Sequence, residues 1–173
     1  MTNENSTDDI LEPFRIALEL EREGKELFSE AAVSTPSKLA RQTFEFLAAE
    51  EDKHIEKIER FYESMELSGE NDLPDTEDSN AEEKLESFNK RLETIKDQFK
   101  ATKSDIEAYQ MALKFENGAE EFYAEKLTQA TNPKIQRFYQ WLIDEETMHS
   151  RLIKSCLQFV EDPAEWFKRR KKV

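Results

Sequence analysis

The stretches "EEDKH", residues 50–54, and "EETMH", residues 145–149, say more about this chain than any others. They contain the only two histidines among 173 residues, and each histidine follows a glutamate by three positions. Because residues three apart on an α-helix share a face, each stretch places a carboxylate beside an imidazole. The same arrangement recurs after 95 residues, which predicts a structural repeat.

The repeat extends well beyond these two stretches. Residues 17–58 align with 112–153 without a gap, so "ALELEREGKELF" falls on "ALKFENGAEEFY" and "FLAAEEDKH" falls on "WLIDEETMH". Apolar residues recur every three or four positions in both copies, which is typical of amphipathic helices. The turns "STP", 34–36, and "TNP", 131–133, divide each copy into two helices. Each copy is therefore predicted to be a helical hairpin.

Two such hairpins predict an all-α protein in which four long helices pack as a bundle. The chain has only three glycines, and 37% of its residues are charged, as expected for long solvated helices. The predicted long helices cover roughly 12–33, 36–64, 105–130 and 134–160.

The remaining segments are predicted to be polar connections and ends. Residues 63–83 contain nine acidic residues and no basic one, which indicates an acidic linker. An accessory amphipathic helix is predicted at 84–100, docked on the bundle or used at a subunit contact. Residues 1–12 are expected to be frayed. The domain is predicted to span 1–162 and to precede a basic C-terminal tail, 163–173.

Polar residues interrupt the apolar faces at matching positions in both hairpins. The first helix of each hairpin has an inward glutamate, and the second has Glu-x-x-His. These candidate metal ligands are Glu21, Glu51, His54, Glu116, Glu146 and His149. The two ligand glutamates of each hairpin are 30 residues apart around its turn, so they lie level on antiparallel helices.

Packing the hairpins together would bring four carboxylates and two imidazoles to one height in the bundle. Buried carboxylates repel one another, and two divalent cations would balance their four charges. Mixed carboxylate and imidazole ligands suit iron, manganese or zinc, and helical bundles with this ligand set hold two metal ions. Glu50 and Glu145 adjoin the ligands, either as solvated residues or as hydrogen-bond acceptors for the ligands.

The chain resembles the rubrerythrin-like branch of the ferritin-like superfamily. The resemblance covers residues 12–62 and 104–160 and rests on "ELEREGKELF", "EEDKH", "KFENGAEEFY" and "EETMH". It implies an all-α, ferritin-like four-helix bundle with a long crossover between the second and third helices. The resemblance further implies a di-iron centre that reacts with hydrogen peroxide or dioxygen, with the six residues above as iron ligands. It also implies that Tyr123 donates a hydrogen bond or a proton. Glu120 is either an additional ligand or an exposed acid, and Phe28 replaces the tyrosine expected in the first copy.

The chain departs from full rubrerythrins in having one cysteine, Cys156, and therefore no rubredoxin domain with paired Cys-x-x-Cys motifs. Any electron donor would be a separate protein, such as a rubredoxin. We expect a peroxidase or ferroxidase. The alternatives are an iron-binding protein for storage or delivery without turnover, and a helical interaction protein that has lost its metal.

Charge and hydropathy limit the expected partners and location. A net charge of -14 argues against nucleic-acid binding. No apolar run is long enough to span a bilayer, and the N-terminal residues do not form a signal peptide, so we expect a cytoplasmic protein. Trp166 and Phe167 lie beside the basic tail, which is either a solvated end or a contact for an anionic membrane or an acidic partner. We also expect a homodimer or a higher homo-oligomer.

Overall fold

The computed structural model describes residues 4–68, 80–94 and 102–171, and every regular element within these ranges is a helix. In chain order the helices are α1 Glu4–Ser34, α2 Lys38–Ser68, α3 Ala81–Thr94, α4 Lys103–Gln129, α5 Pro133–Glu161 and α6 Pro163–Arg170. The predicted all-α bundle is confirmed. Helix α1 packs along α2, and α4 packs along α5, so the repeat folds as two hairpins.

Local signals in the sequence explain where the second hairpin begins and turns. Thr102 caps α4 by accepting a hydrogen bond from the backbone N–H of Asp105, and the Asp105 carboxylate accepts one from the backbone of Thr102. Asn132 caps α5, and Pro133 is its first residue. The buried Asp105 carboxylate also accepts a hydrogen bond of 2.9 Å from Thr35. This bond ties the turn of the first hairpin to the start of the second.

The core of the bundle consists of two apolar clusters separated along the helix axes. One cluster includes Phe28, Phe44, Leu47, Ala112 and Leu152, and the other includes Leu18, Ile58, Ala119, Phe138 and Leu142. On each of the four long helices, the predicted metal ligands lie between residues of the first cluster and residues of the second. The fold therefore places the ligands in one polar layer between two apolar ones.

Several predicted boundaries were wrong because buried apolar residues extend the helices. Helix α1 begins at Glu4 rather than near residue 12, and Leu11 is buried in the second apolar cluster. Helix α2 continues to Ser68, into the predicted acidic linker, and Met65 is buried in the same cluster. Helix α3 begins at Ala81, inside that linker. The rest of the linker, 69–79, and the predicted end of the accessory helix lie outside the described residues.

Of the two alternatives for the C-terminal end, a solvated end does not hold for Trp166. The end forms helix α6, in which Trp166 is buried against Phe159 with ring centroids 5.4 Å apart. Its indole N–H donates to the Ser155 hydroxyl at 3.0 Å. Arg170 pairs with Glu86 and Glu93 of α3, which brings the C-terminal helix against the accessory helix. None of the described helices is long and apolar enough to cross a membrane.

Candidate metal centre

The structure brings all six predicted ligands together in one buried cluster. Two groups of four residues each offer ligand atoms that lie within 4.8 Å of one another. The first group is Glu21, Glu51, His54 and Glu146, and the second is Glu51, Glu116, Glu146 and His149. No member is more than 4% exposed. Glu51 and Glu146 belong to both groups, and a third group of Glu51, His54 and His149 also has ligand atoms within 4.8 Å of one another.

The histidines face the carboxylates through their Nδ1 atoms. His54 Nδ1 lies 2.9 Å from Glu21 and 3.3 Å from Glu51. His149 Nδ1 lies 3.2 Å from Glu116, 3.3 Å from Glu51 and 3.5 Å from Glu146. The two imidazoles stack with centroids 5.2 Å apart. Each histidine therefore presents one nitrogen to a set of carboxylate oxygens.

Many polar atoms of the cluster are buried without a hydrogen-bond partner among the described residues. They are Glu51 Oε1, His54 Nε2, both carboxylate oxygens of Glu116, Glu146 Oε2, and both ring nitrogens of His149. The Nδ1 contacts of His149 are short enough for hydrogen bonds but do not have the geometry of one. Buried polar atoms are costly when unpaired. Oxygen and nitrogen lone pairs converging in one place are the donors that divalent metal ions bind, so the residues fit a metal centre.

The electrostatics of the cluster point the same way. Burial, together with repulsion from Glu51, raises the pKa of Glu21 to about 7. Burial and repulsion from Glu116 raise the pKa of Glu146 well above its usual range. Burial would lower the pKa of His149, but the charges of Glu116 and Glu51 outweigh it and raise that pKa. The charges of both histidines outweigh burial at Glu51 and lower the pKa of that carboxyl. Glu21 and Glu146 are therefore the carboxylates that favour a proton here, and divalent ions would supply the positive charge that replaces it.

Tyr123 contacts the cluster directly. Its hydroxyl donates a hydrogen bond of 2.5 Å to Glu21 Oε1. Burial and the nearby carboxylates raise the pKa of Tyr123, so it stays protonated and acts as a donor. Phe28, at the matching position of the first copy, is buried against Phe44 and Phe115 and has no hydroxyl to offer. Glu120 is only half-buried and does not belong to either group of ligands.

Glu50 and Glu145, which the sequence left open, are buried beside the ligands rather than solvated. Glu145 Oε2 lies 3.5 Å from His54 Nε2, and Glu145 Oε1 accepts a 3.2 Å hydrogen bond from the Trp141 indole. Glu50 pairs with Lys53 and with Lys84 of α3. No motif or spacing in the sequence pointed to Lys84. Its one distinction is that it is the first basic residue after the acidic run 63–83.

Four helices that bring four glutamates and two histidines into a buried layer define a ferritin-like carboxylate protein. The family model for rubrerythrin matches residues 12–157 of the chain. Since that match spans both hairpins and most of the sequence, the chain belongs to the rubrerythrin family. Searches of curated proteins and of solved structures gave no match. Family membership and the buried cluster together support metal binding at a di-iron type of centre.

Proposed function

We propose that the protein binds two iron ions and uses Fe(II) to reduce hydrogen peroxide or dioxygen. The observation that carries this proposal is the pair of four-residue groups that share Glu51 and Glu146. Glu21 and His54 would hold one ion, and Glu116 and His149 would hold the other. Manganese or zinc could occupy the same ligands, because both accept carboxylate and imidazole donors.

Two bound Fe(II) ions would supply two electrons which, with two protons, convert one hydrogen peroxide into two water molecules. The surrounding residues would control charge, protons and water. Four carboxylates balance the charge of two divalent ions, so the reduced centre is close to neutral. The Tyr123 hydroxyl holds a proton 2.5 Å from Glu21, at the edge of the centre. The apolar clusters on both sides of the polar layer exclude bulk water.

The oxidised centre would then need electrons from outside the chain. The sequence has a single cysteine, which is buried, so it cannot form a rubredoxin-type iron site of paired Cys-x-x-Cys motifs. A separate electron-transfer protein such as a rubredoxin is therefore the proposed donor. The second candidate function is iron storage or delivery without peroxide turnover, which the net charge of -14 favours because it attracts cations.

An anaerobic titration tests the proposal. Protein loaded with two Fe(II) per chain is titrated with hydrogen peroxide while near-ultraviolet absorption is followed. We expect an end point at about one peroxide for each pair of ions, since each ion gives one electron. Zn(II), which has no accessible second oxidation state, should occupy the site and abolish the reaction. Glu51→Ala should remove the fast phase, whereas Glu121→Ala, an exposed site on α4, should retain it.

The same titration separates the candidate functions. Fast oxidation by dioxygen with slow oxidation by peroxide would favour a ferroxidase. Turnover of peroxide in the presence of a reductase and a rubredoxin would favour a peroxidase. Reaction with neither oxidant, despite two bound ions, would refute a redox function, and iron uptake beyond two ions per chain would favour storage.

A further inference from the structure

A lysine from the accessory helix reaches two buried carboxylates beside the metal centre. Lys84 Nζ lies 2.5 Å from Glu50 Oε2 and 3.9 Å from Glu145 Oε2. The two carboxylate side chains are 1% and 6% exposed, whereas the lysine is 26% exposed. Buried carboxylates need a positive partner. Lys84 supplies it from a helix that lies outside both repeated hairpins.

Additional contacts hold α3 in the position that delivers Lys84. Asn89 of α3 accepts a 2.6 Å hydrogen bond from Ser155 of α5. Ser155 in turn accepts one from the indole of Trp166 in α6. Glu82, two residues before Lys84, pairs with Arg151 of α5. The docking of α3 on the bundle therefore determines where Lys84 lies.

The repeat makes the environment of the two histidines directly comparable. Glu50 corresponds to Glu145, and His54 corresponds to His149, each 95 positions on. If the two copies were equivalent, the contact of Glu145 with His54 would be matched by a contact of Glu50 with His149. Neither His54 Nε2 nor His149 Nε2 makes a hydrogen bond within the described chain. The difference is that Glu145 lies 3.5 Å from His54 Nε2, whereas Glu50 is paired with Lys53 and Lys84 instead of with His149.

A second difference between the copies acts in the same direction. Trp141 donates its indole N–H to Glu145 and lies against the ring of His54, with centroids 5.6 Å apart. Phe46 occupies the matching position in the first copy and has no N–H to hold Glu50. Glu145 is therefore held beside His54, while the side chain of Glu50 is free to turn toward Lys84.

We propose that Lys84 is a positioning residue that makes the two metal positions unequal, because it holds Glu50 away from His149 and leaves Glu145 to orient His54. This inference rests on the proposed metal function. A carboxylate beside the second ring nitrogen orients a histidine ligand and makes it more basic, and Glu145 lies 3.5 Å from His54 Nε2. The ion at Glu21 and His54 accordingly binds more tightly than the ion at Glu116 and His149.

Stepwise metal binding tests this inference without any measurement of activity. Zn(II) titration by calorimetry gives the two constants, and Co(II) absorption reports the surroundings of each ion. In the unmodified protein the constants should differ by about tenfold or more. Lys84→Met frees one oxygen of Glu50, so the constants should converge and the two Co(II) spectra should become alike. Lys84→Arg keeps the charge and should preserve the difference, as should Lys90→Met, an exposed lysine of α3.

Glu145→Gln provides an independent test with a side chain of nearly the same shape. It should weaken the tighter constant by about tenfold and leave the weaker one unchanged. Circular dichroism and melting curves identify any variant that does not fold. Two equal constants in the unmodified protein would overturn the inference, as would an unchanged difference in Lys84→Met or an unchanged tighter constant in Glu145→Gln. Binding of no ion would overturn the proposed function as well.

Discussion

Metal binding should stabilise this fold strongly, because the cluster contains buried polar atoms without a hydrogen-bond partner that bound ions would satisfy. Seven buried side-chain atoms of the described cluster lack a hydrogen-bond partner. Each such atom costs ~1–3 kcal/mol when unpaired. The metal-free protein therefore has a deficit of at least several kcal/mol, part of which protonation of Glu21 and Glu146 relieves.

The size of the effect follows from mass action. An ion that binds only the native state, at a thousand times its dissociation constant, adds ~4 kcal/mol to the free energy of unfolding. For a domain of this size, 1 kcal/mol shifts the melting temperature by ~2–4 °C. Saturation with Zn(II) should therefore raise the melting temperature by ~8–16 °C for each tightly bound ion.

Differential scanning calorimetry of chelator-treated protein, with and without Zn(II), measures this shift. Zn(II) is preferable to Fe(II) because it cannot be oxidised during the scan. The double variant His54→Ala, His149→Ala removes both imidazoles and should lose the stoichiometric binding of two ions. Its melting temperature should hardly respond to Zn(II). A shift of the same size in the double variant would refute the ligand assignment, and no shift in the unmodified protein would refute a buried metal site.

Three further predictions concern single side chains. Tyr123→Phe removes the hydrogen bond to Glu21, and stopped-flow oxidation of the Fe(II) protein should slow by ~10–100-fold while two ions remain bound; an unchanged rate would exclude a role for the hydroxyl. Burial raises the pKa of Cys156 to about 12, so its thiolate fraction at pH 8 is ~10⁻⁴. Thiol reagents should therefore label Cys156 only after denaturation, and rapid labelling of the native protein would contradict the packing. Trp166→Ala should lower the free energy of unfolding, measured in urea, by ~3–5 kcal/mol. Arg170→Ala, which removes half-exposed ion pairs, should lower it by ~1 kcal/mol or less. Equal losses in the two variants would contradict the burial of the indole.

The repeat explains why the residues of the buried cluster could be predicted from the sequence. Helical periodicity determines which residues share a face, and the matched turns place Glu21 level with Glu51 and Glu116 level with Glu146. Both relations are local, because they connect residues of one hairpin. Only the packing of one hairpin on the other is long-range, and the apolar faces on either side of the ligands define it. The structure accordingly brings together the six residues that the sequence had selected.

The rest of the site depends on contacts that have no repeated pattern. Lys84 lies 34 residues after Glu50 in the sequence, within the crossover segment that neither copy of the repeat contains. Helical periodicity likewise does not predict the ion pair between Arg170 of α6 and Glu86 of α3. Amphipathic spacing shows that α3 has an apolar face but not which surface receives it. Long-range ion pairs of this kind become apparent only once the chain is folded.

Where the two copies of the repeat differ, the added contacts lie on the side of the cluster formed by Glu21 and His54. Glu21 accepts a hydrogen bond from Tyr123, and His54 lies beside both Glu145 and Trp141. On the other side, Phe28 and Phe46 replace the tyrosine and the tryptophan, and neither oxygen of Glu116 has a hydrogen-bond partner among the described residues. Ligands without such support can change their coordination at lower cost. A centre built from two near-identical hairpins would therefore hold one ion firmly and leave the ligands of the other able to adjust when an oxidant arrives.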